Sequence, residues 1–162
     1  MQEGEALIQR IEQDIARRLA RYPELRNKSA MFITHLDPTD LSVLRFYTAN
    51  DSRVKFFADL GLTSPGSIAA LSRSGQFSGE ASIEQVDAFD DVDIFVTYGG
   101  KALLDPLSAN PLMARMRAVK QGSMVMLGGG PLATAANPTP LSIPWVLDDY
   151  LEALAAAARK VQ

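Results

Sequence analysis

The segment DIFVTYG, residues 93–99, limits what this chain can fold into. It is nearly continuously apolar, so as a strand it needs cover on both faces. Such a strand belongs inside a sheet with helices above and below. MFITHLD (31–37), LRFYTA (44–49) and GSMVMLG (122–128) read as further strands. Between and around them lie helical patterns. Residues 3–22 place Leu7, Ile8, Ile11, Ile15 and Leu19 at three- and four-residue steps, and Pro23 ends the run. DSRVKFFADLG takes Asn50 or Asp51 as its cap and closes at Gly61. SIEQVDAF starts at Ser82, with Gln85 placed for a capping box. Pro111 opens PLMARMRAV, and a long helix fills the tail from about Pro140 to Lys160. SPGSIAAL reads as a turn with a short strand, and RSGQFSGEA (73–81) as a polar loop. Strands alternate with helices, which predicts an α/β, Rossmann-like three-layer domain. Its central sheet is mostly parallel or mixed, with about five strands.

A length of 162 residues suits one domain with a sizeable core. The net charge of -3 gives no general pull toward nucleic acid or anionic lipid. The absence of cysteine excludes disulfides, thiol catalysis and zinc–thiolate sites. No apolar run reaches membrane-spanning length. Met1 leads into the polar MQEGE without the pattern of a signal peptide, so a cytosolic chain or a piece of something longer is expected.

The glycine triplet Gly128–Gly130 follows a strand and precedes PLATAANPTPLSIPW. A P-loop needs a Lys-Ser/Thr pair at the head of its helix, and a dinucleotide fingerprint needs GxGxxG at the first strand–helix turn. Neither is present. A flexible linker and a ligand-facing loop at the carboxyl end of a strand both fit. Two helix starts stay open beyond it: Thr139 as cap with Pro140 first, or Ser142 as cap with Pro144 in the first turn. The single histidine, His35, stands near Asp37, but no GxSxG elbow completes a triad. Asp90, Asp91 and Asp93 read as a solvated turn, and Asp148-Asp149 as the wet face of the last helix. Phe46, Phe57 and Phe95 read as core, whereas Phe77 lies in a polar loop without a core partner. Tyr22, Tyr47, Tyr98 and Tyr150 are scattered among different elements, which argues against a bare ferric site.

In order, the chain shows S-x-E-Q before an aspartate-rich turn, an apolar strand, then N-P-L…A-V-K-Q-G, another strand and L-S-x-x-W-x-L-D. Upstream stands FYTANDSRVKFFADLGL. Together these resemble the C-terminal lobe of the iron–siderophore substrate-binding proteins of ABC importers. That group has a rigid interlobe helix and also includes haem and cobalamin binders. Members are about twice this length and carry a lipoprotein signal. The resemblance therefore implies a C-terminal-lobe fragment of a longer, extracytoplasmic, lipid-anchored precursor. Residues 1–24 become an interlobe-type or leading helix, and residues 25–162 one α/β lobe of a bilobal protein.

The resemblance implies a ligand held between the lobes, against the loops around 37–45, 76–79, 98–101 and 128–134. By similarity, Gln76 or Phe77 matches a ligand-contacting region, and Leu132–Thr134 a second one. Arg45, Arg73 and Tyr98 are added on chemical grounds, because guanidinium and phenol groups bond the oxygen-rich edges of a ferric chelate. The siderophore fills the iron's coordination sphere, so no protein metal ligand, cofactor or catalytic residue is expected. The few arginines favour a hydroxamate or mixed-type siderophore. The expected partners are the ferric siderophore, the membrane permease and the N-terminal lobe, with no nucleic acid. The resemblance places permease docking on Glu84, with Glu80 as the fallback. The competing reading is a small α/β enzyme or nucleotide-binding domain with His35 and Asp37 in its site.

Overall fold

A computed structural model of the chain describes residues 2–135 and 137–162. Five strands form one mixed sheet in the order β3-β2-β1-β4-β5. They are β1 (Ala30–Ile33), β2 (Val43–Tyr47), β3 (Ser78–Ser82), β4 (Ile94–Thr97) and β5 (Met124–Met126). β1, β4 and β5 run parallel, with Met31 opposite Phe95 and Val96 opposite Val125. β2 is antiparallel to both neighbours, pairing Ile33 with Phe46 and Arg45 with Glu80. β1 and β4 are buried at every position, as their unbroken apolar sequence requires.

The α-helices are α1 (Gln2–Leu19), α2 (Ser52–Asp59), α3 (Gly66–Ser72), α4 (Leu104–Ala109), α5 (Arg117–Gln121), α6 (Pro131–Ala135) and α7 (Ile143–Ala158). Two cores result. One lies under α1, α2 and α7 and centres on Phe32, Phe57, Ile94, Val96 and Tyr150. The other holds Met31, Ile33, Phe46 and Phe95 against Ile68 of α3, Leu107 of α4 and Val119 of α5. Helix α1 meets the body mainly through its second half. Ile15 is its one buried residue, and Arg18 reaches Asp148 of α7 at 3.1 Å. A groove of about 460 Å³ remains beneath α1, between Ile8, Ile11, Ile15 and Phe56 of α2.

Several local expectations change. SPGSIAAL contains helix α3, not a strand, because Asp91 caps it from across the fold. Asp91 accepts bonds from the Ser67 backbone N–H at 3.0 Å and the Ser67 hydroxyl at 2.9 Å. The stretch 73–81 is not all loop, since Ser78–Ser82 pairs in full with β2. Asp93 is not a solvated turn residue. It accepts from the Ser29 N–H at 2.9 Å and pairs with Arg117. The helix expected at Ser82 is a 3-10 helix, Ile83–Phe89, with the Ser82 hydroxyl accepting from Glu84 N. The Pro111 helix splits into a 3-10 turn, Met113–Arg115, and α5, because Met116 is extended. The 128–142 loop contains the short helix α6.

Both readings of the last helix start hold a part of the answer. The regular helix begins after Ser142, with Pro144 in its first turn. The capping bonds are nevertheless made at Thr139. Its Oγ1 accepts from Ser142 N at 3.1 Å, and Ser142 Oγ accepts from Thr139 N at 2.9 Å. This is a capping box closed by serine in place of glutamate.

Candidate ligand-binding surface

Helices pack on both faces of the sheet but leave part of one bare along β2 and β3. Leu44 and Phe46 of β2 point into the second core and are buried, whereas Val43 and Arg45 point the other way and are exposed. β3 matches this pattern, with Ser78, Glu80 and Ser82 exposed. Alternation along the two strands therefore leaves a bare polar floor. A cleft of about 570 Å³ opens on it, lined among others by Thr34, Arg45, Tyr47, Gln76, Ser78 and Glu80. Arg45 and Glu80 face each other across the strands at 3.4 Å, both largely exposed.

The loop over this floor is pinned by β2's continuation. The buried Thr48 hydroxyl donates to the Gln76 carbonyl, and Thr48 N donates to Phe77 O at 3.0 Å. The Asn50 amide donates to Gln76 O and Ser72 O, each at 2.8 Å. Bonds to its backbone thus hold the loop, and Phe77 is 65% exposed.

Beside the floor stands an aromatic–guanidinium cluster that the sequence pattern did not reveal. Arg53, in the first turn of α2, lies 4.3 Å over the Tyr47 ring and donates from Nε to the Tyr98 hydroxyl at 2.8 Å. Its Nη1 meets the Asp51 carboxylate at 3.0 Å. Phe32 supports both phenols from below, with ring centroids 5.6 Å from Tyr47 and 5.3 Å from Tyr98. Burial works against the Arg53 charge, but the Tyr98 hydroxyl and Asp51 outweigh it and raise its pKa. Burial likewise raises the Tyr47 pKa, with Arg53 opposing. Tyr47, at the end of β2, and Tyr98, just past β4, therefore converge, contrary to the scatter read from the sequence. Their shared partner, Arg53, gave no sequence signal. It belongs to an amphipathic helix pattern, and only the fold brings its head to two strand ends.

Arg45 and Gln76 line the cleft, and Tyr98 reaches the neighbouring cluster through Arg53. Phe77 flanks the cleft, next to Gln76 in the pinned loop. Arg73 caps α3 at its C-terminal end, is exposed, and is not among the residues lining the cleft. Leu132 packs partly against the α1/α2/α7 core, and Thr134 donates its hydroxyl to Pro131 O within α6. The glycine triplet starts at Gly128, whose positive φ of 66° and N–H bond to Gly99 O at 2.7 Å fold it against the loop after β4. Gly129 and Gly130 have open space where a Cβ would stand. Glu84 is exposed at the head of the 3-10 helix and forms no ion pair among the described residues, whereas Glu80 pairs with Arg45. His35 is exposed. Asp37 has its pKa lowered by bonds from the Thr39 hydroxyl and N–H. A carboxylate held ionised in this way is a weak base, so the pair offers little acid–base chemistry.

No protein-family profile matches the chain. No curated protein sequence matches it. Solved structures do. PiaA of Streptococcus pneumoniae TIGR4 in complex with ferrichrome is 31% identical and matches with a TM-score of 0.92 over 99% of this chain and 55% of PiaA. PiaA of the same strain, described as an iron uptake ABC transporter substrate-binding protein, matches at 32% identity and TM-score 0.89, again over 99% and 55%. FhuD2 of Staphylococcus aureus with bound ferrioxamine B shares the fold, at 16% identity, TM-score 0.69, 97% of this chain and 59% of FhuD2. The chain thus spans a little over half the length of these siderophore-binding proteins. Its α/β fold is the fold of that part of them.

Proposed function

We propose that this chain forms one wall of the ligand cleft in a substrate-binding protein for ferric siderophores. The assembled protein would pass the complex to the permease of an ABC importer. The observation that carries this reading is the match along 99% of the chain, at 31% identity, to a protein solved with ferrichrome. The bare β2–β3 floor and the Arg53 cluster support it independently. They supply what a coordinatively saturated iron complex needs from a protein: donors for peripheral chelate oxygens and flat apolar surface for its arms. Arg53, Tyr47 and Tyr98 would meet the chelate, Arg45 and Gln76 its edge, and Phe77 a ligand arm. Leu132 and Thr134 would meet the ligand from the α6 side. A hydroxamate or mixed-type siderophore suits this set.

In this reading the protein performs no chemistry on its ligand, and residues 1–24 lead toward the second lobe that completes the cleft. It acts outside the cytoplasm on a lipid anchor. Glu84, exposed and unpaired among the described residues, is the better permease contact of the two glutamates. Glu80 is already engaged by Arg45 on the floor.

Titration calorimetry with ferrichrome tests the assignment. The chain alone should bind weakly, having one wall only. Arg53→Ala should weaken binding about tenfold or more, the cost of losing a hydrogen bond from a charged group. Equal affinity for the wild type and Arg53→Ala would sink the assignment of this face.

A further inference from the structure

We infer that Asp51 is a selectivity residue: by holding the Arg53 guanidinium it cancels positive charge beside the β2–β3 floor and turns the site against strongly anionic iron chelates. This rests on the siderophore reading above and names the chelate class that this face admits. Asp51 accepts three bonds from Arg53, one from its backbone and two from its guanidinium. Its Oδ1 accepts from the Arg53 backbone N–H at 2.9 Å, which caps α2. Its carboxylate also takes Nη1, at 3.1 Å from Oδ1 and 3.0 Å from Oδ2. The side chains are 14% and 21% exposed, so solvent screens this pair far less than a surface one.

The second cation of the face is also matched, since Arg45 faces Glu80 at 3.4 Å. Arg73 and Lys101 do not line the cleft. Two guanidinium groups are thus balanced by two carboxylates. Three monoanionic hydroxamates around Fe³⁺ give a neutral complex, whereas three dianionic catecholates give a trianion. The neutral complex can take the free donors of Arg53 without meeting net repulsion. The trianion meets Asp51 a few ångströms behind the guanidinium that should attract it.

Asp51→Asn separates charge from architecture, because asparagine caps a helix as well as aspartate does. The affinities of the 162-residue chain for ferrichrome and for iron(III) tris(catecholate) are measured in the wild type and the variant. The ratio of catecholate to hydroxamate affinity should rise about tenfold, equivalent to about 1.4 kcal/mol. Added salt should erode that gain. Asp51→Ala supplies the contrast. A purely structural role for Asp51 would lower both affinities together and leave the ratio where it was. An unchanged ratio in Asp51→Asn overturns the inference. Should neither chelate bind either protein, the siderophore reading fails, and the Tyr47 phenol decides this point alone. Tyr47 and Tyr98 face Arg53, and Asp51 is the carboxylate paired with it. Unmasking Arg53 should therefore let Tyr47, whose pKa Arg53 lowers and Asp51 raises, ionise at lower pH in Asp51→Asn, seen by ultraviolet difference absorbance. An unmoved Tyr47 titration would then overturn the inference.

Discussion

Gly79 shows how tightly single positions fix the binding floor. It sits in β3, and a Cβ there would stand 2.9 Å from two atoms of the Phe46 ring. That ring is buried and packs edge-on against Phe89 at 5.5 Å, so it has little room to retreat. Gly79→Ala should cost about 1–3 kcal/mol, the usual penalty of overpacking. The measurement is the urea midpoint, and an unchanged midpoint would show that β3 yields more easily than the contact implies. The reason for a glycine in this strand is therefore a ring on the neighbouring strand. Sequence reading saw only a Gly- and Ser-rich stretch and took it for loop, since such residues disfavour strands. Pairing with β2 overrode that local preference.

Helices and strands were legible where a single element carries its own pattern. The apolar runs of β1 and β4, a cap for α2 at Asn50 or Asp51 and the periodic stripe of α7 all needed only neighbours along the chain. Elements whose cause lies elsewhere were not legible. α3 is capped by Asp91, which comes after two further elements, and the Arg53 cluster joins a helix head to two strands. Four of the expected ligand residues, Arg45, Gln76, Phe77 and Tyr98, do stand on or beside the open face, because strand ends and their loops can be placed from the strands alone. Arg73, at the far end of α3, could not be placed that way. The groove between α1 and α2 gives a test at the same scale. Asp59 is exposed, yet partial desolvation in the groove and, secondarily, Glu12 raise its pKa. A carboxyl whose folded pKa is raised destabilises the native state once pH climbs above its unfolded value. Asp59→Asn should thus raise the melting temperature at pH 7, by no more than about 0.5 kcal/mol of stability at so solvated a site. The gain should vanish below about pH 4, where the unfolded carboxyl is also protonated. A gain that persists at low pH would assign it to something other than charge.

At the scale of the whole molecule, one sheet serves two cores. Phe32 and Phe95 lie on adjacent strands, are both fully buried, and face opposite ways. A sheet shared in this way cannot lose one side and keep the other. Phe32→Ala and Phe95→Ala should each cost about 3–5 kcal/mol. Each should still unfold in one transition, with far- and near-ultraviolet circular dichroism coinciding. Separate transitions would show that the two layers are independent. The uncovered part of the same sheet has a further consequence, which follows from the parity of residue numbers along β2. Even positions, Leu44 and Phe46, hold the fold together; of the odd positions, Val43 and Arg45 hold up nothing beneath them, and only Tyr47 at the strand's end packs on the core, against Phe32. Fold and recognition are thereby written into one strand as two interleaved messages. At Val43 and Arg45 the odd one can be rewritten for a new guest while the even one is left untouched.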